Sequence, residues 1–124
     1  LKQLAEFIYW NFPFAVHVAF MGLENMGYVK KNWEELWIDP VEYMDSLGEA
    51  VKYLYLRRMN VSIYTLQLCL LPRSLWSFAR KSISDFKNEY LDICTHCTVR
   101  DHCSGLFLSQ GTRHSEHIHA LTVV

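Results

Sequence analysis

Four cysteines are the residues in this sequence best suited to chemistry. Cys94, Cys97 and Cys103 stand in the stretch CTHCTVRDHC with the spacing C-x2-C-x5-C, and Cys69 lies well upstream. Four thiols at such spacing suit disulfides, a zinc ion or an iron–sulfur cluster. Disulfides need an oxidising compartment. The sequence shows no basic segment followed by an apolar stretch and a cleavage site that would lead there. The expected setting is therefore cytoplasmic, where these thiols read as metal ligands. Structural zinc usually takes two short ligand pairs, and only Cys94 and Cys97 form one; His96 and His102 are the available substitutes. Three thiolates on one loop with a fourth from a distant element suit an iron–sulfur cluster better, because a cubane presents its corners over several ångströms. Leu68, Leu70, Leu71, Trp76, Leu106 and Phe107 flank the thiols with apolar surface, and Ser104 and Gly105 allow backbone N–H groups to approach cluster sulfurs. Soft thiolates serve both metals, so ligand type alone leaves zinc and iron–sulfur open.

The remaining polar residues carry weaker signals. His114, His117 and His119 form H-x2-H-x-H, which reads as a polar tail because composition does not fix geometry. His17, inside an apolar stretch, reads as a satisfied core histidine, or else as a side chain at the top of a barrel. Gly22 and Gly27 have neither the lysine and hydroxyl of a P-loop nor the spacing of a dinucleotide turn. No Ser/His/Asp or Cys/His catalytic arrangement can be assembled. The chain has 124 residues, 51% of them hydrophobic and 15% aromatic, with a net charge of −1. That composition supports one domain with a real core and excludes strong attraction to nucleic acid or to an anionic membrane. No run of about eighteen apolar residues predicts a transmembrane helix.

The elements that must position the thiols follow from periodicity. LKQLAEFIYW, residues 1–10, has helical spacing at Leu1, Leu4, Phe7 and Ile8 and stops at Asn11 and Pro13. Residues 14–20, FAVHVAF, read as a strand buried on both faces, followed by a glycine loop, MGLENMGY. Asp39, Pro40 and Glu42 predict the start of a helix over about 41–58, with Val41, Met44, Leu47, Val51, Leu54 and Tyr55 as its apolar stripe. Residues 60–68 read as a second strand ending at Cys69, and 73–91 as an aromatic-rich helix carrying Leu75, Trp76, Phe78, Ala79, Ile83, Phe86 and Tyr90. A strand–helix–strand unit of these lengths implies parallel strands with a right-handed crossover. Two strands make no stable sheet alone. The chain, which opens on Leu1, is therefore expected to end a larger α/β domain or to complete its sheet with another chain.

Several stretches carry a resemblance. GLENMGY, NWEELWIDP, LCLLPRSLW, ARKSISDFKNEYL and CTHCTVRDHCSG together resemble the C-terminal part of radical SAM maturases of the His-Xaa-Ser peptide-modification system, over roughly residues 14–110. The C-x2-C-x5-C segment is also similar to the SPASM/twitch extensions of radical SAM enzymes, which bind an auxiliary [4Fe-4S] cluster. The resemblance implies an α/β fold in which residues 1–68 are the C-terminal strand–helix–strand end of a partial (β/α) barrel. Residues 69–110 would be a small helical, cysteine-rich cluster-binding extension, and 111–124 a tail. Cys69 at the end of the second strand would supply one ligand, and Cys94, Cys97 and Cys103 the others. Where SPASM domains continue with a further cysteine this chain has Leu106, which implies one auxiliary cluster, the twitch-like state. The catalytic C-x3-C-x2-C motif does not occur here and would lie upstream of Leu1, so this chain alone is expected to be inactive. The intact protein would use S-adenosylmethionine and a second [4Fe-4S] cluster to modify a ribosomally made precursor peptide, with a reductant protein as a further partner. The four-thiolate cluster would serve electron transfer or peptide positioning. Glu24 and Asn25, after the first strand, are candidates for facing S-adenosylmethionine or the peptide, with loop capping as their simpler role. The competing reading is a non-enzymatic binding module stapled by zinc through the same four cysteines.

Overall fold

Pro40 pre-sets the backbone of the first helical turn and Asp39 caps it, its carboxylate accepting the Val41 N–H at 3.1 Å. In the computed structural model, which describes residues 1–82 and 88–123, the helix so started runs over Pro40–Leu56 and is the spine of the fold. It is α3; α1 spans Lys2–Asn11 and a single turn, α2, spans Trp33–Leu36. Met44, Leu47, Ala50, Val51 and Leu54 form the buried face of α3. Val41 and Tyr55, expected in the stripe, are 40% and 59% exposed; they lie on its flanks, and Tyr55 meets Phe78 edge-on instead. Ala5, fully buried, lets α1 approach α3 closely. Tyr9 and Tyr53 meet edge-to-face at that contact, and Arg57 lies 3.5 Å over the Tyr53 ring. Each fully buried aliphatic side chain here contributes about 1.5–3 kcal/mol of transfer free energy, so this helix pair anchors everything attached to it.

Strand β1, His17–Met21, pairs in parallel with β2, Asn60–Tyr64, in register His17 to Asn60 through Met21 to Tyr64, with α3 as the crossover. A parallel bridge from Ile63 to Ala79, with the Arg80 N–H bonded to the Ile63 carbonyl at 2.8 Å, adds one residue of a further strand position. The parallel strand–helix–strand unit is thus as expected, but its details differ. β1 starts three residues later than predicted, and only Val18 and Phe20 are half-buried, because α1 and α3 cover a single face of the sheet. β2 stops at Tyr64 rather than 68: Thr65 takes a positive φ of 60°, which turns the chain out of the sheet. Cys69 therefore stands on the turn after Gln67, not at a strand end. His17 is exposed at the N-terminal end of β1, opposite the end where a barrel would place its top.

The predicted helix over 73–91 is also replaced. Arg73–Phe78 is a 3₁₀ segment, and the indole N–H of Trp76 reaches back to the Leu68 and Leu71 carbonyls, each at 3.1 Å. That tie directs Ala79 into the sheet instead of a further turn. Ile83 and Phe86 of the expected stripe lie outside the described residues. Asn88–Glu89, β3, pairs antiparallel with Leu106–Phe107, β4, closing the cysteine region into its own two-stranded ladder with a small core of Leu70, Leu106 and Ile118. Among the described residues the strands form these two small sheets and no closed barrel, and no helix is long and apolar enough to cross a membrane.

Candidate metal centre

Two buried side-chain bonds clamp the turn carrying Cys69 against the loop carrying Cys103. Gln67 donates its amide N–H to the Gly105 carbonyl at 2.7 Å, and Ser104 donates its hydroxyl to the Leu66 carbonyl at 2.8 Å. Gln67 and Ser104 are both buried, so losing either partner would strand polar groups at about 1–3 kcal/mol each. Gly105 makes the close approach sterically feasible: its φ is +62°, and a Cβ there would sit 2.6 Å from the Glu89 carbonyl oxygen. Tyr90 holds the same loop from the other side, donating its hydroxyl to the Cys103 carbonyl at 2.9 Å. Cys94 lies within the 3₁₀ turn Asp92–His96 and Cys97 caps its end, the Cys97 N–H bonding the Cys94 carbonyl at 3.1 Å.

These supports bring all four cysteines to one cavity of about 380 Å³, counting its mouth, walled also by Leu68, Tyr90, Leu91, Val99, Leu106 and Ile118. The four are unpaired by disulfides and half-buried. Backbone N–H groups aim at two of the sulfurs: Leu68 donates to Cys103 and Leu121 to Cys97, both at 3.4 Å. Arg100 lines the rim with its guanidinium over the Tyr90 ring, 4.8 Å from the centroid. Among the described residues, no three His, Cys, Asp or Glu side chains converge tightly enough to hold a single metal ion. A zinc–thiolate site would require sulfurs within about 4 Å of one another, given Zn–S bonds near 2.3 Å.

Burial pushes the Cys69 thiol up, as do Cys103 and Cys94, against the backbone bond from His119. Burial likewise raises Cys94, with Cys103 and Cys97 adding to it, while the Leu91 backbone and Arg100 oppose. Both thiols therefore carry their protons at neutral pH until a cation displaces them. Cation binding must release protons, so affinity should climb with pH. Cobalt titrations of the reduced chain at about pH 6.5 and about pH 8.5 should give the tighter binding at the higher value; equal affinity would mean that these thiols are not the ligands.

The other expected residues are placed elsewhere. His96 and His102 are exposed and do not line the cavity, so they do not stand in for the thiols. His114, His117 and His119 do not converge: the His114 ring bonds the Ser115 carbonyl at 3.0 Å, the His119 ring bonds the His117 carbonyl at 2.8 Å, and only His119 reaches the cysteine cavity. Asn25 uses its amide to dock the loop over 109–113, donating to the Ser109 carbonyl at 3.0 Å and accepting from Arg113 at 3.2 Å. Glu24 sits half-buried beside it. A second cavity of about 340 Å³ lies at the carboxyl ends of β1 and β2, lined by Gly22, Thr65, Gln110 and His114 among others. Gln67 and Leu106 line both cavities, so one wall separates them. Burial and the Asp39 carboxylate push the Tyr43 phenol in that second cavity up to about 12, keeping it neutral. Gln67, Arg100 and Leu121 escaped notice in the sequence, and Tyr90 was read only as part of an aromatic stripe, because nothing local to them marks the thiols they serve. No protein-family model, curated protein or solved structure matches the chain.

Proposed function

We propose that this chain is the C-terminal part of a cytoplasmic radical SAM enzyme that modifies a ribosomally made peptide, and that Cys69, Cys94, Cys97 and Cys103 hold an auxiliary [4Fe-4S] cluster. The observation that carries the reading is the meeting of four cysteines, one of them distant in sequence, round one apolar cavity with backbone N–H groups directed at two of their sulfurs. Such a cluster supplies a one-electron relay. The chain's own part is to hold four thiolates, to exclude water with Leu68, Leu91, Leu106 and Ile118, and to offset negative charge with Arg100. The second cavity supports the placement of substrate. It lies at the carboxyl ends of parallel strands, where α/β barrels build their active sites, one wall from the thiols.

The test is anaerobic reconstitution with iron and sulfide, reading the visible spectrum and metal content together. A brown chain with about four iron atoms is expected. A colourless chain holding one zinc would overturn the reading in favour of a zinc-stapled binding module.

A further inference from the structure

Residues 114–123 do not hang free. Ser115 is buried, donating its hydroxyl to Asp39, the α3 cap, at 2.9 Å and accepting the His117 N–H at 3.1 Å. Ile118 is buried in the small core with Leu70 and Leu106. Thr98, on the loop between Cys97 and Cys103, holds the other end. Its N–H and its hydroxyl both donate to the Leu121 carbonyl, at 2.9 and 3.0 Å, and its hydroxyl oxygen accepts the Val123 N–H at 2.9 Å. Between the two anchors the segment crosses the cysteine cavity. There the Leu121 N–H meets Cys97 Sγ at 3.4 Å, and His119 lines the cavity together with Cys69.

We infer that residues 114–123 are a strap that positions Cys97 and sets the reduction potential of the group the cysteines hold, Leu121 acting through its backbone N–H and Thr98 as its anchor. This rests on the cluster reading above. A hydrogen bond to a ligating sulfur stabilises the reduced, more negative state more than the oxidised one, and so raises the potential. Closing the mouth of the cavity also limits the entry of water and oxygen.

The test compares the full chain, reconstituted with iron and sulfide, with L121P, which removes the N–H, and L121A, which keeps it. The midpoint potential is read by anaerobic optical titration. L121P should shift to more negative potential and bleach faster in air, while L121A stays at the wild-type value. Thr98→Val, which removes the hydroxyl at the anchor and keeps the shape, should shift in the same direction and serves where L121P does not fold. Equal potentials in the wild type, L121P and Thr98→Val would overturn the strap while leaving the cluster in place. Should the wild type hold zinc instead, the cluster reading falls and the strap is read from the rate at which a chelator removes the zinc. Faster loss from L121P and Thr98→Val than from L121A keeps the strap as a positioning element, and equal rates overturn it. A wild-type chain that holds neither metal overturns both.

Discussion

Cys69→Ser should cost the reconstituted chain most of its iron and its visible absorption, the largest single effect on the candidate centre. On the proposed reading Cys69 would be the ligand that the three-cysteine loop cannot replace. It comes from the turn after β2, and its neighbours Gln67 and Leu66 are bonded to the loop through Gly105 and Ser104. Serine keeps the size but offers a hard, weakly acidic hydroxyl where a soft thiolate is needed. Cluster occupancy below about a quarter of wild type is the expected result, since the cubane takes four cysteine thiolates. His96→Ala and His102→Ala should leave iron content unchanged, because both side chains are exposed outside the cavity. Iron and sulfide analysis beside circular dichroism separates ligand loss from unfolding. A Cys69→Ser chain that keeps four iron atoms, or a His96→Ala chain that loses them, would mean that the ligand set is misassigned.

Gly105→Ala should be the most damaging single methyl group in the chain. The residue has a φ of +62°, and the new Cβ would lie 2.6 Å from the Glu89 carbonyl oxygen and 2.9 Å from the Tyr90 ring. The backbone strain costs about 1–3 kcal/mol and the overlap at least as much again, because a carbonyl in the β3–β4 ladder cannot swing aside as a flexible side chain can. The loop would have to retreat, and the bonds from Gln67 to Gly105 and from Tyr90 to Cys103 would open with it. A loss of about 3–5 kcal/mol in urea unfolding is expected, with weaker iron retention. Gly111→Ala is the control: its φ is +55° but no atom lies within 4 Å of the added Cβ, so it should cost only the strain. Equal losses in the two variants would show that the close approach at Gly105 does not matter.

The contrast between these two glycines shows what sequence reading reaches. Nothing local distinguishes Gly105 from Gly111; only the Glu89 carbonyl, brought in by the β3–β4 pairing, separates a tolerated methyl from a damaging one. The helix over Pro40–Leu56 was legible because its signals are local: the cap, the proline and the 3.6-residue stripe lie within it. The segment from Pro72 was not, because its aromatic spacing suits a helix while the decisive bonds of Trp76 run to the carbonyls of Leu68 and Leu71. Strand β2 was overextended for a related reason. Its β-branched run is real, but Thr65 leaves the sheet through a positive φ that its residue type does not announce.

By itself the sequence determined the parallel strand–helix–strand unit and the four thiols as one candidate ligand set. Both are written in residue type and spacing over short range, where period and donor chemistry speak directly. Only the tertiary structure decided that the thiols share a cavity, that His96, His102, His114 and His117 lie away from it while His119 reaches it, and that residues 114–123 cross it. Those outcomes depend on contacts between residues far apart in the chain, such as Gln67 with Gly105, Asp39 with Ser115 and Thr98 with Leu121. Such contacts arise when buried polar groups must find partners wherever the packed core brings them, and no local pattern encodes the partner.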